Sequence, residues 1–121
     1  MSEISDIMWE TMKGYWRTIV DNICNSYETD SKYHLDKVYE DGQLKGFFAW
    51  YDTNDYRMLE AGYYKGTDRL MALKMYRKMK KGAKVLRALV QKPNERVWKT
   101  YMAIGFKIIG EDLNNYLLEK R

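Results

Sequence analysis

The sequence predicts an α/β domain, built on a mixed, mostly antiparallel and twisted sheet with flanking helices. Two strand-like runs flank Asp41-Gly42, a dipeptide that favours a tight antiparallel hairpin because both residues accept positive φ. A helix-like pattern over 69–81 then leads into an apolar strand over 84–91, and strands joined through a helix form a right-handed parallel crossover. A third unit, over 85–106, reads as a strand, a sharp turn, a short helix and the start of another strand.

Length and composition indicate one folded domain over residues 1–121. The chain has 121 residues, of which 45% are hydrophobic, which is enough for one core but not for a second. A single cysteine, Cys24, excludes an internal disulfide and favours a cytoplasmic location. His34 is the only histidine, so no metal site is expected. There is no secretion leader at Met1 and no apolar run long enough to cross a bilayer, so no membrane partner is expected.

The first element is predicted to be one long amphipathic helix from Ile4 to Tyr27. Apolar residues recur along it at three- and four-residue spacing, and acidic residues are concentrated near its start. Gly14 weakens the middle of this helix but is not expected to end it. A stripe this rich in tryptophan and methionine is typical of a face that packs against a core.

Three strands are predicted next, at Tyr33–Glu40, Leu44–Tyr51 and Arg57–Tyr63. The first two form the hairpin, and a cluster of turn-forming residues at 52–55 separates the second from the third. The second strand carries large apolar side chains on both faces, which indicates a position in the middle of the sheet.

A further helix is predicted over Arg69–Lys81, ended by Gly82. Its outer face is strongly basic, but basic helix faces are normally solvated, and no aromatic residues interleave with these charges as single-strand binding would favour. The net charge is only +4, so a nucleic acid is not expected as a partner. The expected buried stripe of this helix consists of Leu70, Leu73, Tyr76 and Met79.

The strand that follows, Lys84–Gln91, is apolar at nearly every position from 85 to 90, which predicts that both of its faces are covered. Pro93 ends it. Asn94 is expected to cap a helix reaching Ile104 by accepting a backbone N–H with its side chain, and Gly105 to close that helix in a left-handed conformation. The last two strands are predicted at Phe106–Glu111 and Asn115–Lys120.

Five residues in the last third of the chain have a characteristic spacing: Asn94, Val97, Tyr101, Gly105 and Phe106. Together with the element order, this spacing resembles the GCN5-related N-acetyltransferase superfamily over residues from about 5 to 120. That family commonly has an asparagine, a small apolar residue three positions later, a tyrosine seven positions later, and a Gly-Phe pair shortly after. The chain differs in lacking the family's first strand and in having one long helix where the family usually has two.

The resemblance implies a splayed pair of parallel strands in the sheet, formed here by 57–63 and 84–91. An acyl-CoA would lie in the resulting V, with its pantetheine arm completing the backbone hydrogen bonds of the first strand as an added strand would. On this basis Ala61 and Tyr63 would bind the arm along the first strand, and Asn94 would contact it as well.

The resemblance also implies a pyrophosphate site at the start of the helix that follows the first splayed strand. The family's loop reads Arg/Gln-x-x-Gly-x-Gly/Ala, and its glycines let backbone N–H groups approach the phosphates at the positive end of the helix. Here Asp68 and Leu70 stand where the two glycines belong, so a negative charge and a bulky side chain replace them. The residues implied to bind the cofactor in this loop are Lys65, Gly66, Thr67, Arg69 and Leu70.

By the same resemblance, Tyr101 would be the acid that protonates the departing thiolate. A phenol near its ordinary pKa stays protonated at neutral pH and can donate if it is held within reach. Glu60, on the first splayed strand, is the candidate base that accepts the proton of the attacking amine, directly or through water. Core packing explains Tyr101 about as well as catalysis does, and a surface or ion-paired carboxylate explains Glu60 at least as well.

Two functions follow from the resemblance. The first is transfer of an acetyl group from acetyl-CoA, as co-substrate, to an amine on a small molecule or a protein by direct attack. The second is a non-catalytic scaffold of the same fold, similar to internal virion proteins of small tailed phages, and it is suggested by the departures at Asp68 and Leu70. This second function predicts a homo-oligomer or protein partner and a location in the virion, so the sequence leaves open whether the protein is an enzyme.

Overall fold

The computed structural model describes residues 3–12, 14–66 and 69–121, and these residues form four helices and six strands. No helix in these ranges is long and apolar enough to cross a membrane. The elements in chain order are α1 (Glu3–Thr11), α2 (Arg17–Thr29), β1 (His34–Glu40), β2 (Gln43–Asp52), β3 (Arg57–Tyr64), α3 (Arg69–Met79), β4 (Leu86–Gln91), α4 (Glu95–Ala103), β5 (Lys107–Glu111) and β6 (Asn115–Lys120).

The strands form one sheet in the order β1-β2-β3-β4-β6-β5. Every neighbouring pair is antiparallel except β3 and β4, which are parallel and are joined through α3. The β1–β2 hairpin turns through Asp41 at φ 52° and Gly42 at φ 75°, the positive angles that this dipeptide favours. The prediction of a mixed, mostly antiparallel sheet with flanking helices is therefore confirmed.

The sheet separates two apolar cores, and β2 contributes to both. Phe47 and Phe48 are consecutive and fully buried, so their side chains point to opposite faces. Phe48 packs in the core beneath α3 and α4, and Phe47 packs in the core beneath α1 and α2. As predicted, this strand is buried on both faces and paired on both sides, but it is second from the edge of the sheet, whose centre is formed by β3 and β4.

The prediction of a single long N-terminal helix is wrong, because the chain bends between α1 and α2. Trp16 has extended backbone angles, φ −69° and ψ 136°, and Tyr15 N–H donates to the Met12 carbonyl in the connecting turn. Both apolar stripes cover the same face of β1–β3, which one straight helix of that length could not do. Gly14 lies in this turn, where its low helix propensity acts as a break.

The prediction of the buried apolar stripe of α3 is also wrong at two of its four positions. Leu70 is 75% exposed and Leu73 is 38% exposed, whereas the methionines at positions 71, 75 and 79 and Tyr76 are buried. Both sets have helical spacing, so the local pattern did not distinguish them. The methionine stripe is the buried one because α3 crosses β2 at Gly46, where the missing side chain admits the Met75 sulfur.

Strand β4 is covered on one face only, which corrects the prediction that both faces are buried. Leu86, Ala88 and Val90 point into the core beneath α3 and α4, whereas Leu89 is 53% exposed. The reason is the placement of α1 and α2, because their core includes residues of β1–β3 but, among the described residues, none of β4.

Replacing Gly46 with alanine is expected to destabilise the fold by about 1–3 kcal/mol, because it overpacks the crossing of α3 and β2. A methyl carbon there would lie 2.9 Å from the Met75 sulfur and 3.1 Å from the Tyr63 carbonyl oxygen, and the latter is backbone that cannot rotate away. Gly110→Ala is the matched control, since its methyl group would meet nothing within 4 Å. Urea unfolding checks this, and equal midpoints for the two variants would contradict it.

Candidate active site

The two parallel strands in the centre of the sheet separate soon after they meet. β3 and β4 pair only at Arg57–Leu86, Met58–Arg87 and Leu59–Ala88. Beyond these pairs the edge of β3 that faces β4 has no strand partner within the described residues. The splayed pair implied by the resemblance is therefore present, and it presents a row of backbone N–H and C=O groups to the V.

A β-bulge marks the point of separation. Across β2 and β3, Ala49 pairs with Ala61 and Trp50 with Leu59, so Glu60 is an extra residue in β3. A bulge bends its strand and increases the local twist, which turns the rest of β3 away from β4. It also reverses the alternation of side chains, since Leu59 packs in one core and Ala61 in the other.

Two cavities adjoin the V. The strand cavity, of about 210 Å³, lies between the splayed parts of β3 and β4. The helix cavity, of about 70 Å³, lies between β3, α3 and α4 and includes Met75 and Arg96 in its wall. The two share the residues that stand between them, which are Gly62, Tyr63, Asn94, Val97 and Tyr101.

Tyr101 lies where the two cavities meet. Its ring is buried against Phe106, with the ring centroids 4.9 Å apart, so α4 holds it in one position. The hydroxyl lies against the backbone of β3, because a methyl carbon built on Gly62 would be 3.5 Å from the hydroxyl oxygen. Burial raises the pKa of Tyr101 above its ordinary value, with a smaller contribution from Tyr63. The group is therefore a neutral donor, aimed at the free edge of β3.

Asn94 does not cap α4 with its side chain, which corrects that prediction. Its backbone angles, φ −84° and ψ 61°, differ from the extended cap conformation, and no side-chain cap hydrogen bond forms. The Asn94 carbonyl accepts from Val97 N–H and Trp98 N–H instead, at 3.1 and 3.3 Å. Since the side-chain amide is not used for capping, it remains available where it borders both cavities.

The other candidates on β3 also line the strand cavity. Glu60 is exposed at the bulge, Ala61 is buried, and Tyr63 is half-buried. The Tyr63 hydroxyl donates to the Met12 sulfur at 3.5 Å, and burial raises the pKa of Tyr63 to about 12. The structure thus brings Glu60, Ala61 and Tyr63 together with Tyr101 and Asn94 around one V.

The described candidates of the β3–α3 connection, Lys65, Gly66 and Leu70, lie outside the walls of both cavities. Lys65 and Gly66 are exposed, and Gly66 has φ +77°, so the chain turns there as a glycine permits. Leu70 is mostly exposed on the first turn of α3 and does not contribute to the wall. The remaining loop candidates, Thr67 and the side chain of Arg69, and also Asp68, lie outside the described residues.

Two residues of the site were not singled out in the sequence. Arg96 extends from α4 to the β3–α3 connection, where its guanidinium donates to the Gly66 carbonyl and lies 5.4 Å from the centre of the Tyr64 ring. Gly62 keeps the space in front of the Tyr101 hydroxyl open. A glycine inside a strand is a signal of close approach that could have identified Gly62, whereas the role of Arg96 depends on a contact across 30 residues.

The connection between α1 and α2 also reaches the V. The Tyr15 hydroxyl donates to Gln91 Oε1 at 3.0 Å, which ties this connection to the end of β4. Met12, at its start, lines the strand cavity beside Tyr63. Thr11, directly before Met12, lines the helix cavity, so the start of this connection borders both cavities.

Several solved structures with a similar fold are acetyltransferases. The PaiA N-acetyltransferase from Thermoplasma acidophilum, in complex with coenzyme A, matches at 22% identity and a TM-score of 0.62 over 100% of this chain and 80% of that one. The Campylobacter jejuni N-acetyltransferase PseH, in complex with acetyl coenzyme A, matches at 19% identity and a TM-score of 0.67 over 100% and 92%. A GNAT-family acetyltransferase from Bacillus cereus matches at 20% identity and a TM-score of 0.70 over 97% and 87%.

No protein-family model and no curated protein matches the sequence. The agreement with solved structures is nevertheless nearly complete in extent, and it covers the splayed strands and both helices that border the V. The resemblance noted in the sequence is thereby confirmed at the level of the fold. The chain has the fold of the GCN5-related N-acetyltransferases.

Proposed function

We propose that this protein is an acetyltransferase that moves the acetyl group of acetyl-CoA to an amine. The observation that carries the proposal is the position of the Tyr101 hydroxyl, which faces the free edge of β3 where two cavities meet. Structural neighbours in complex with coenzyme A or acetyl coenzyme A support an acyl-CoA as the co-substrate.

The pantetheine arm would bind along β3. Ala61 and Tyr63 would flank the arm on this strand, and the two amides of the arm would pair with the backbone groups on the edge of β3 that has no strand partner beyond Leu59. The side-chain amide of Asn94, which is not used for helix capping, would hydrogen-bond to the arm from α4. Residues 65–67, 69 and 70 are proposed to bind the phosphates beyond the end of β3.

The reaction would proceed by direct attack of the amine nitrogen on the thioester carbonyl carbon. A C–N bond forms, the C–S bond breaks, and the electron pair of that bond stays on the sulfur. Glu60, exposed at the bulge, would accept the proton that the amine loses, directly or through one water. The exposed position of this carboxylate suits a base that must return its proton to solvent after each turnover.

Tyr101 is proposed to stabilise the departing sulfur mainly as a hydrogen-bond donor. Burial raises the pKa of its phenol above the ordinary value of about 10, whereas thiols have a pKa of about 8.5. Complete proton transfer from this phenol to the thiolate is therefore uphill. A donor fixed in a buried position stabilises the charge that develops on sulfur without that transfer, and solvent then protonates the released thiolate.

A non-catalytic scaffold is the second candidate. The observation that favours it is the β3–α3 connection, where Asp68 and Leu70 replace the glycines that would let backbone N–H groups approach the phosphates. Self-association, a protein partner, and a location in the cytoplasm or in a phage virion stay predictions.

Thermal unfolding with added acetyl-CoA or CoA separates the two candidates. A ligand at one hundred times its dissociation constant stabilises the folded state by about 2.7 kcal/mol, so we expect a clear rise in Tm for the enzyme. ATP at the same concentration is the control for general anion binding. If neither CoA nor acetyl-CoA changes Tm at millimolar concentration, the enzymatic function is excluded. Release of free thiol when an amine is added then tests transfer itself.

A further inference from the structure

We propose that Arg96 is the principal phosphate-binding residue of this protein and takes over the role of the missing loop glycines. In the ligand-free structure its guanidinium is held by the Gly66 carbonyl, and on binding it exchanges that carbonyl for the pyrophosphate of CoA. This inference rests on the proposed function, because it names the residue that recognises the charged part of the co-substrate.

The position of Arg96 is the first argument. It lies on the first turns of α4, lines the helix cavity, and donates to the Gly66 carbonyl directly after the end of β3. A pantetheine arm that runs along β3 past Tyr63 leaves the strand at this point, and the pyrophosphate is the next group along the cofactor. The guanidinium therefore lies where the phosphates emerge from the V.

The present contacts of Arg96 are the second argument. A backbone carbonyl is a neutral acceptor, and among the described residues no carboxylate forms an ion pair with Arg96. A guanidinium has five N–H donors in a planar fork that matches two phosphate oxygens. The exchange of Gly66 for a phosphate thus replaces a neutral acceptor by a charged one. The guanidinium carbon also lies 5.4 Å from the centre of the Tyr64 ring, a contact that leaves its positive charge without an anionic partner among the described residues.

The composition of the loop is the third argument. In the sequence, Asp68 and Leu70 stand where the loop of the resembling family has glycines that expose backbone donors, and an aspartate brings a negative charge into a loop expected to bind a negative ligand. A cation from a different element is then needed to balance both charges. Arg96 lies on α4, its side chain is exposed, and its guanidinium reaches this connection at Gly66.

Calorimetric titration of Arg96→Ala with CoA and with pantetheine, which lacks the phosphates, tests the proposal. We expect the affinity for CoA to fall by about 10- to 100-fold, the range of a lost charge-assisted hydrogen bond, while the affinity for pantetheine is unchanged. Arg96→Lys should lie between, since an ammonium keeps the charge but loses the fork. Lys99→Ala is the matched control on the same helix, where the ammonium pairs with Glu95 at 3.2 Å.

Each outcome of these titrations either supports or overturns the inference. Wild-type protein that binds CoA with an affinity that Arg96→Ala does not change overturns this inference alone. An equal loss for CoA and for pantetheine also overturns it, because Arg96 would then hold the β3–α3 connection in place and not bind phosphate. Wild-type protein that binds neither compound overturns the proposed function together with the inference.

Discussion

Replacing Tyr101 with phenylalanine is expected to lower kcat about 10²-fold while leaving the KM for acetyl-CoA nearly unchanged. The substitution removes only the hydroxyl, which faces the free edge of β3 from a buried position. Loss of one preorganised donor to developing charge reduces kcat by about 10²–10³-fold. The ring keeps its contact with Phe106, so no cavity forms in the core. Steady-state kinetics with varied acetyl-CoA measures both constants.

Tyr76→Phe is the control for this substitution. Tyr76 is buried in the same core and its ring also contacts Phe106, at 6.2 Å, but it lines neither cavity. We expect its kcat to equal that of the wild type. A similar fall for both variants would show that the loss comes from packing, and an unchanged kcat for Tyr101→Phe would exclude the hydroxyl from the chemistry.

The pH dependence of the wild type gives an independent reading of the same group. Because burial raises the pKa of Tyr101, the phenol stays protonated up to and beyond its ordinary pKa of about 10. We therefore expect no alkaline fall in kcat from this group between pH 7 and about 9. The contribution of the neutral phenol to stability is complete below that ordinary pKa and is lost as the pH rises through the pKa of the folded state.

Replacing Arg57 with alanine is expected to lower the free energy of unfolding by about 2–5 kcal/mol, because it leaves two backbone carbonyls without their donor, at about 1–3 kcal/mol for each unsatisfied group. Arg57 is 6% exposed, and its guanidinium carbon lies 3.9 Å from the centre of the Trp50 ring. It donates to the Met79 and Lys81 carbonyls at 2.7 and 2.8 Å and to Asp52 at 2.8 Å. One side chain thus satisfies the carbonyls at the end of α3 and fixes the start of β3.

Arg87→Ala is the comparison that isolates the buried environment of Arg57. Arg87 also pairs with a carboxylate, Glu119 at 2.8 Å, and also lies over an aromatic ring, Tyr56 at 4.3 Å. Its side chain is 28% exposed and binds no helix carbonyl, so we expect a loss of about 1 kcal/mol or less. Urea unfolding of both variants measures the difference. Equal losses would mean that the α3 carbonyls are rehydrated at little cost when Arg57 is removed.

Features encoded in a few adjacent residues were predictable. The Asp41-Gly42 turn and the left-handed Gly105 at the end of α4 depend on the backbone freedom of single residues, so they can be read wherever they occur. The strands on either side of these turns were also predicted, and the observed strands differ from the predicted ones only by small shifts at their ends. The spacing of Asn94 and Tyr101 places both on one side of a short helix, and the structure brings both to the V.

Features that depend on which of two similar surfaces meets the sheet were not predictable. Residues 70 and 73 and the methionines of α3 form two apolar stripes of the same period, and only the crossing at Gly46 selects the second. The bend between α1 and α2 arises because both helices must cover the same three strands. In both cases the deciding energy is burial against a distant part of the chain, which local pattern does not contain.

The sequence by itself determined the hairpin, the parallel crossover and the order of the elements from β1 onward, because these follow from local periodicity and turn chemistry, and the resemblance singled out Asn94 and Tyr101. Only the tertiary structure decided how the site is assembled. It placed the bulge at Glu60 where β3 leaves β4, set Gly62 against the Tyr101 hydroxyl, and brought Arg96 to Gly66. These arrangements join residues that are far apart in the chain, so their physical cause is the packing of whole elements against one another.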